Sequence, residues 1–255
     1  MDDFQSQIAR LDKNLFSHVL SQSTDEDKKS LLALQAVIRQ QLKQFVYLEI
    51  GSYKGGSLQP YVVDPQCSTI LSIDPRPYTL PDSRGAEKYP ENSTEGMLRL
   101  LGQIPGANTK KIQTFDAGTD TLSAAAIQVQ PDFCFVDGEH TDSAALRDAQ
   151  FCLQVVKPDG LIAFHDANLI YGALDSFVKE LQRTGRSFRA YILPDSVFVI
   201  ELGTMNLCQT EPVRSCLAQN YKAYLAGMFA NDWYRYAYHL PIYRILRKIR
   251  RLFPR

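Results

Sequence analysis

Five short apolar runs, at residues 45–50, 69–73, 111–115, 132–136 and 161–164, recur along this chain with helix-compatible segments at 57–63, 93–101, 121–127 and 141–155 between them. Strands this short and apolar on both faces suit a parallel sheet covered by helices on each side. The alternation predicts an α/β fold: a Rossmann-like, doubly wound, mostly parallel sheet of seven strands, with helical additions at both ends. A helix over 169–183 is followed by runs at 188–193 and 196–201, separated only by Pro194 and Asp195. That is hairpin spacing, so the last strand is expected to be antiparallel. Two helical patterns, 4–21 and 25–44, precede the sheet, and neither carries an obvious catalytic group. The second has Ser23 and Thr24 as caps and Leu31, Leu32, Leu34, Val37, Ile38 and Leu42 on one face, so it is expected to cover the sheet or a substrate. The predicted organisation is N-terminal helices over 1–44, a ligand-binding domain over 45–203 and a helical extension over 204–255. A chain of 255 residues is long enough for one such core.

Open α/β sheets bind ligands beyond the carboxyl ends of their strands, near the point where strand order reverses. The strand ends here are polar: Glu49 and Gly51, Asp74, Asp116, Asp137, and His165 with Asp166. The first run passes into Gly51-Ser52-Tyr53-Lys54-Gly55-Gly56-Ser57, a turn that can bring backbone and a helix N-terminus against a ligand. Its spacing, E-x-G-x-x-x-G-x-S, matches neither the phosphate loop GxxxxGK[ST] nor the dinucleotide fingerprint GxGxxG. Glu49 is unwelcome beside a pyrophosphate and well placed for a ligand that carries an amino group.

Glu49-Ile50-Gly51-Ser52-Tyr53-Lys54-Gly55-Gly56-Ser57 resembles motif I of the class I S-adenosylmethionine-dependent methyltransferases, above all the catechol and macrocin O-methyltransferase-like groups. The resemblance runs from about residue 45 to 201. It implies a cofactor, S-adenosyl-L-methionine, held by Glu49, Gly51, Ser52, Tyr53, Gly55 and Ser57, with Asp137 beside it. Asp74 is placed to accept from both ribose hydroxyls, although a turn aspartate before Pro75 is the other reading. The resemblance puts the adenine edge at Asp116, Ala117 and Gly118; a plain Asp–Gly loop is the alternative.

Phe135-Val136-Asp137-Gly138-Glu139-His140 and Phe164-His165-Asp166 close neighbouring runs. Two carboxylates and a histidine around one cleft can hold a divalent ion, which would orient and acidify a substrate hydroxyl. Each residue also has a plainer reading: cofactor contact for Asp137, a helix cap for His140, a core histidine for His165. The resemblance implies Mg2+ held by Asp137, His165 and Asp166, but His165 stands where metal-dependent members have an acid. It also offers Glu139 as general base. His140 is the alternative base, because an imidazole titrates near neutrality. Asp148 is either the group that orients His140 or a solvated helix charge beside Arg147.

The expected activity is O-methylation of a small hydroxylated acceptor such as a sugar or secondary metabolite. The alternatives are a cofactor-binding adaptor without transfer activity and a related enzyme that does not methylate. The formal charge is zero, which gives no global case for a nucleic-acid partner. After Leu240, however, Arg244, Arg247, Lys248, Arg250, Arg251 and Arg255 stand with no acid among them. Ile242, Ile245, Leu246, Ile249, Leu252 and Phe253 lie between at helical spacing. This is the pattern of a basic amphipathic helix, suited to an ordinary terminal helix or to peripheral membrane contact through 240–255. The five cysteines form no CxxC pair, and Met1-Asp2-Asp3-Phe4 lacks a leader pattern, so a cytoplasmic protein is expected.

Overall fold

The computed structural model describes residues 3–76 and 92–240. The Pro75–Asn92 connection therefore falls mostly outside the described residues, as does the basic segment after Leu240. Helices α1 (Phe4–Ala9) and α2 (Asp25–Gln41) lead into strand β1 (Phe45–Ile50). There follow α3 (Gln59–Val63), β2 (Cys67–Ile73), α4 (Thr94–Gly102), β3 (Ile112–Phe115), β4 (Phe133–Val136) and α5 (Asp142–Val155). The chain continues through β5 (Leu161–Phe164), α6 (Tyr171–Arg183), β6 (Phe188–Ile192), β7 (Phe198–Leu202) and α7 (Val213–Cys216). It closes with β8 (Gln219–Asn220) and α8 (Tyr221–His239).

The strands form one sheet in the order β3-β2-β1-β4-β5-β7-β6-β8. The expected parallel set and the antiparallel β7 are both present, and β7 pairs antiparallel with β5 and with β6. The two-residue β8 is an eighth strand that the seven-stranded expectation did not include. Strand order reverses between β1 and β4, so the ends of these two strands bound the crevice.

Alternation along β1 divides the interior into two layers. Phe45 and Tyr47 join α1–α4 in one cluster, where Tyr47 stacks on Tyr61 with centroids 3.7 Å apart. Val46, Leu48 and Ile50 face α5 and α6 in the other.

The expected helix over 4–21 is interrupted. It ends at Ala9, Leu11 takes φ +55, and Asp12 caps a separate 3-10 turn at Lys13–Phe16. The predicted helix over 121–127 is one 3-10 turn, Ala124–Ala126. A run of three alanines has the propensity but not the length to nucleate an α-helix. Among the described residues, no helix is long and apolar enough to cross a membrane.

Candidate active site

A cleft of about 720 Å³ opens over the ends of β1, β2, β3, β4 and β5. That lies within the roughly 300–1,000 Å³ usual for small-molecule sites. Gly51, Ser52, Tyr53, Ser57, Asp74, Asp116, Ala117 and Gly118 line one part of it. Asp137, Glu139, His140, His165 and Asp166 line another. Two expected residues, Glu49 and Gly55, are not among the lining groups.

Glu49 has no exposed surface. Strand alternation turns it to the side of Tyr47, beneath the turn, and not toward the cleft. Tyr47 donates its hydroxyl hydrogen to Glu49 Oε2 and Ser57 donates to Oε1, both at 2.6 Å. Burial pushes the Glu49 carboxyl up to about 8; the two donors lower it, while Asp137 and Asp74 add to the rise. The structure does not bring Glu49 to the cleft surface; Ser57, which donates to it, is the group that lines the cleft there.

Asp74 holds the turn together. Its Oδ2 accepts from the Tyr53 backbone N–H at 2.6 Å, and its Oδ1 accepts from the Asn92 side chain at 2.8 Å. Sequence reasoning missed the group beneath it, Arg76. This buried guanidinium donates to Asn92 Oδ1 at 3.1 Å and to Tyr53 O at 3.3 Å, and lies 3.8 Å from Asp74 and 3.7 Å from Asp116. It is the counter-charge of two carboxylates that line this part of the cleft. The available signal was a cation two residues after a strand-end aspartate. Replacing Arg76 with Met leaves Asp74 without its buried counter-charge. The expected result is a loss of about 3–5 kcal/mol of stability, measured by urea denaturation.

The second part of the cleft is a network of carboxylates and imidazoles. His165 Nδ1 lies 2.9 Å from Asp137 Oδ1 and 3.6 Å from Asp166 Oδ2. His140 reaches the same two carboxylates, with Nε2 3.5 Å from Asp137 Oδ1 and Nδ1 3.2 Å from Asp166 Oδ2. Asp166 takes φ +48, which turns it back over the end of β5.

The other nitrogen of His165 points away from the cleft, 3.2 Å from Oδ2 of the buried Asp27 on α2. Burial opposes charge on His165, but Asp137 and Asp27 outweigh it and hold the imidazole up to about 11. Burial likewise opposes charge on Asp27, yet His165, Thr24 and Ser196 hold it down to about 2. Helix α2 thus carries a polar group of the site after all. In sequence, Asp27 reads as the N3 residue of the Thr24 capping box, a role it also fills.

Asp148 is buried at the cleft wall, where Thr119 donates to it. Burial pushes its carboxyl up to about 6, with Thr119 and Arg147 pulling the other way. Its wall position contradicts the reading of a solvated helix charge. Its bonded partner is Thr119, so orientation of His140 by Asp148 is not what these contacts provide. In α8, Phe229, Trp233, Tyr234 and Tyr236 are exposed and no residue of the helix lines the cleft.

Asp137, His140 and His165 each offer a donor atom within 4.8 Å of the others. Asp166 borders this set of two imidazoles and one carboxylate, with Oδ2 3.6 Å from His165 Nδ1 and 3.2 Å from His140 Nδ1. Mg2+ favours oxygen ligands and retains water, whereas imidazole suits zinc, nickel, iron and copper. The donor chemistry fits a divalent ion, and fits one that accepts nitrogen better than Mg2+.

Residues 48–167 match the family model of a methyltransferase domain. No curated protein matches the chain in sequence. Among solved structures, MycE of the mycinamycin biosynthetic pathway, in complex with Mg, SAH and mycinamycin VI, is 16% identical. It aligns with a TM-score of 0.50 over 77% of this chain and 53% of its own. TomG, the O-methyltransferase of Streptomyces achromogenes involved in tomaymycin synthesis, solved with SAM, is 15% identical. Its TM-score is 0.48 over 80% of this chain and 91% of its own. At these identities the likeness is one of fold.

Proposed function

We propose, from the premise that residues 48–167 form a class I S-adenosylmethionine-dependent methyltransferase domain, that this chain methylates an oxygen of a small hydroxylated acceptor. The observation that carries this reading is the single cleft in which the Gly51 turn and Asp74 stand beside Glu139, His140, His165 and Asp166. One part of the cleft suits an aminoacyl nucleoside; the other suits a hydroxyl that must lose a proton.

Transfer forms one C–O bond and breaks one S–C bond, and the acceptor proton must leave. The protein's main task is to align the oxygen with the methyl carbon and exclude water. Ser57 and the turn hold the amino acid portion, Asp74 the ribose, and the segment 116–118 the adenine. His140 is engaged with Asp137 and Asp166, so Glu139 takes the role of base. It lines the cleft and accepts from Thr141 Oγ1 at 3.0 Å, a contact within its own turn that fixes it. Asp137, His140, His165 and Asp166 would hold a divalent ion, which when bound lowers the pKa of a coordinated hydroxyl.

The test is calorimetry with S-adenosylmethionine, followed by transfer from methyl-labelled cofactor to a pool of sugars and phenols. The expected result is binding, with label recovered in a methyl ether. Absence of binding would overturn the cofactor assignment. Binding with label recovered only on nitrogen would overturn the acceptor class. A chelator is expected to abolish transfer and leave cofactor affinity unchanged. Glu139→Gln is expected to lower kcat by about 10²–10⁴ with little change in cofactor affinity, read from the pH–rate profile.

A further inference from the structure

Asp27 lies 138 residues from His165 in sequence, yet its carboxylate is buried against that ring. The Asp27 carboxylate is fixed from three sides besides the histidine. Thr24 Oγ1 donates to Oδ2 at 2.8 Å, and Ser196 donates its backbone N–H and its hydroxyl to Oδ1 at 3.2 and 3.1 Å. An aspartate held this firmly fixes the tilt of the imidazole. With Nε2–H directed to Asp27, Nδ1 is the nitrogen presented to the cleft beside Asp137, and an ion bound there would displace its proton. A histidine that ligates a metal characteristically donates its other ring N–H to a carboxylate in this way.

Asp137, His140 and His165 are spaced for a shared ion. His165 Nδ1 and His140 Nε2 lie 2.9 and 3.5 Å from Asp137 Oδ1, whereas Asp166 Oδ2 lies 3.6 Å from His165 Nδ1 and 3.2 Å from the other nitrogen of His140. With bonds of about 2.0–2.2 Å, neighbouring ligands of a four- to six-coordinate shell lie roughly 2.9–3.6 Å apart. Two imidazole donors in such a shell lower its preference for a hard, strongly hydrated ion and raise it for one that accepts nitrogen.

We propose that this cleft selects a nitrogen-accepting divalent ion of the cobalt, nickel and zinc class over Mg2+, and that Asp27 is the positioning residue that sets His165 for it. The inference rests on the methyltransferase reading only for the use made of the ion; its tests are read from the ion itself.

Co2+ is titrated into the full chain with S-adenosylhomocysteine present, and its visible absorption bands are recorded. The expected result is a saturable band of nitrogen–oxygen coordination that zinc abolishes and a hundredfold excess of Mg2+ leaves in place. Displacement by Mg2+ at that excess, or no band while the cofactor still binds, would overturn the selectivity. Loss of cofactor binding itself would count against the proposed function, and the wild-type band would still decide the ion. Asp27→Asn is expected to weaken Co2+ about 10–100-fold while cofactor affinity stays unchanged. An unchanged Co2+ affinity in that variant would overturn the role of Asp27. Should Asp27→Asn fail to fold for want of its cap, His140→Asp, which leaves the cap intact, gives the second measurement. It replaces a nitrogen donor with oxygen, and Mg2+ is expected to displace Co2+ from it. Retained Co2+ preference there would equally overturn the assignment.

Discussion

Gly51→Ala is expected to abolish S-adenosylmethionine binding and to lower the melting temperature by about 5–20 °C, which corresponds to roughly 2–6 kcal/mol of strain and clash in a chain of this size. Two effects combine. Gly51 sits at φ +90, a conformation that side chains rarely adopt. A Cβ there would also lie 2.1 Å from the carbonyl oxygen of Asp137 and 2.9 Å from the Cα of Gly138. Both contacts are to backbone, so no side chain can swing aside. The neighbouring strand end is pinned as well: Gly51 N–H donates to Ile73 O at 2.8 Å and Asp137 N–H to Ile50 O at 2.9 Å. Relief of the clash must push Asp137 away from the turn and open the cleft floor.

Gly106→Ala separates the two effects. Gly106 has φ +81, and a Cβ added there would meet nothing within 4 Å. It is expected to lose only about 1–2 kcal/mol and to keep full cofactor affinity. Thermal melts and calorimetry on both variants check this. Equal losses in the two would mean that the φ angle, and not the approach to Asp137, makes glycine necessary at 51.

The Gly51 turn is legible in the sequence because its information is local: an apolar run, an acid, then glycines at fixed spacing. The strand ends Asp74, Asp116, Asp137 and Asp166 are legible for the same reason, since fold topology brings strand ends to one crevice. What escapes is tertiary. Asp27 belongs to a capping box in sequence and meets His165 only when α2 packs over the sheet. Arg76 follows a proline and carries no periodic signal, and its partners Asn92 and Asp116 lie on other segments. Glu49 stands where the motif puts it along the chain, but its side chain faces the core and not the cleft. Its i, i+2 relation to Tyr47 already puts it on the face of β1 that packs against α2 and α3. Short elements are poorly legible too, because propensity at 121–127 and 4–21 says little about where capping residues stop a helix.

Glu49→Gln is expected to stabilise the cofactor-free protein at pH 8 and at the same time weaken its hold on the cofactor. The sign follows from the direction of the shift. The carboxyl titrates at about 8 in the folded chain against an ordinary 4.5, so the folded state prefers the neutral acid. The stabilising preference is fully present below the unfolded value and is lost as pH rises toward 8. At pH 8 the loss has an upper bound of about 5 kcal/mol. Glutamine, which cannot ionise, avoids it while still accepting from Tyr47 or Ser57. The gain in melting temperature should therefore be largest at pH 8 and vanish near pH 4–5. Binding should move the other way. An ammonium group resting on Ser57 favours ionised Glu49 below it, and a charge-assisted contact of about 1.5–3 kcal/mol corresponds to roughly 10–100-fold in affinity. That loss should appear with S-adenosylhomocysteine and disappear with its deaminated analogue, which has no cation to contribute. A variant that melts no higher than wild type at pH 8 would show that Glu49 is already comfortable in its buried site. Equal weakening toward both ligands would make it a prop for the turn and not a partner of the amino group.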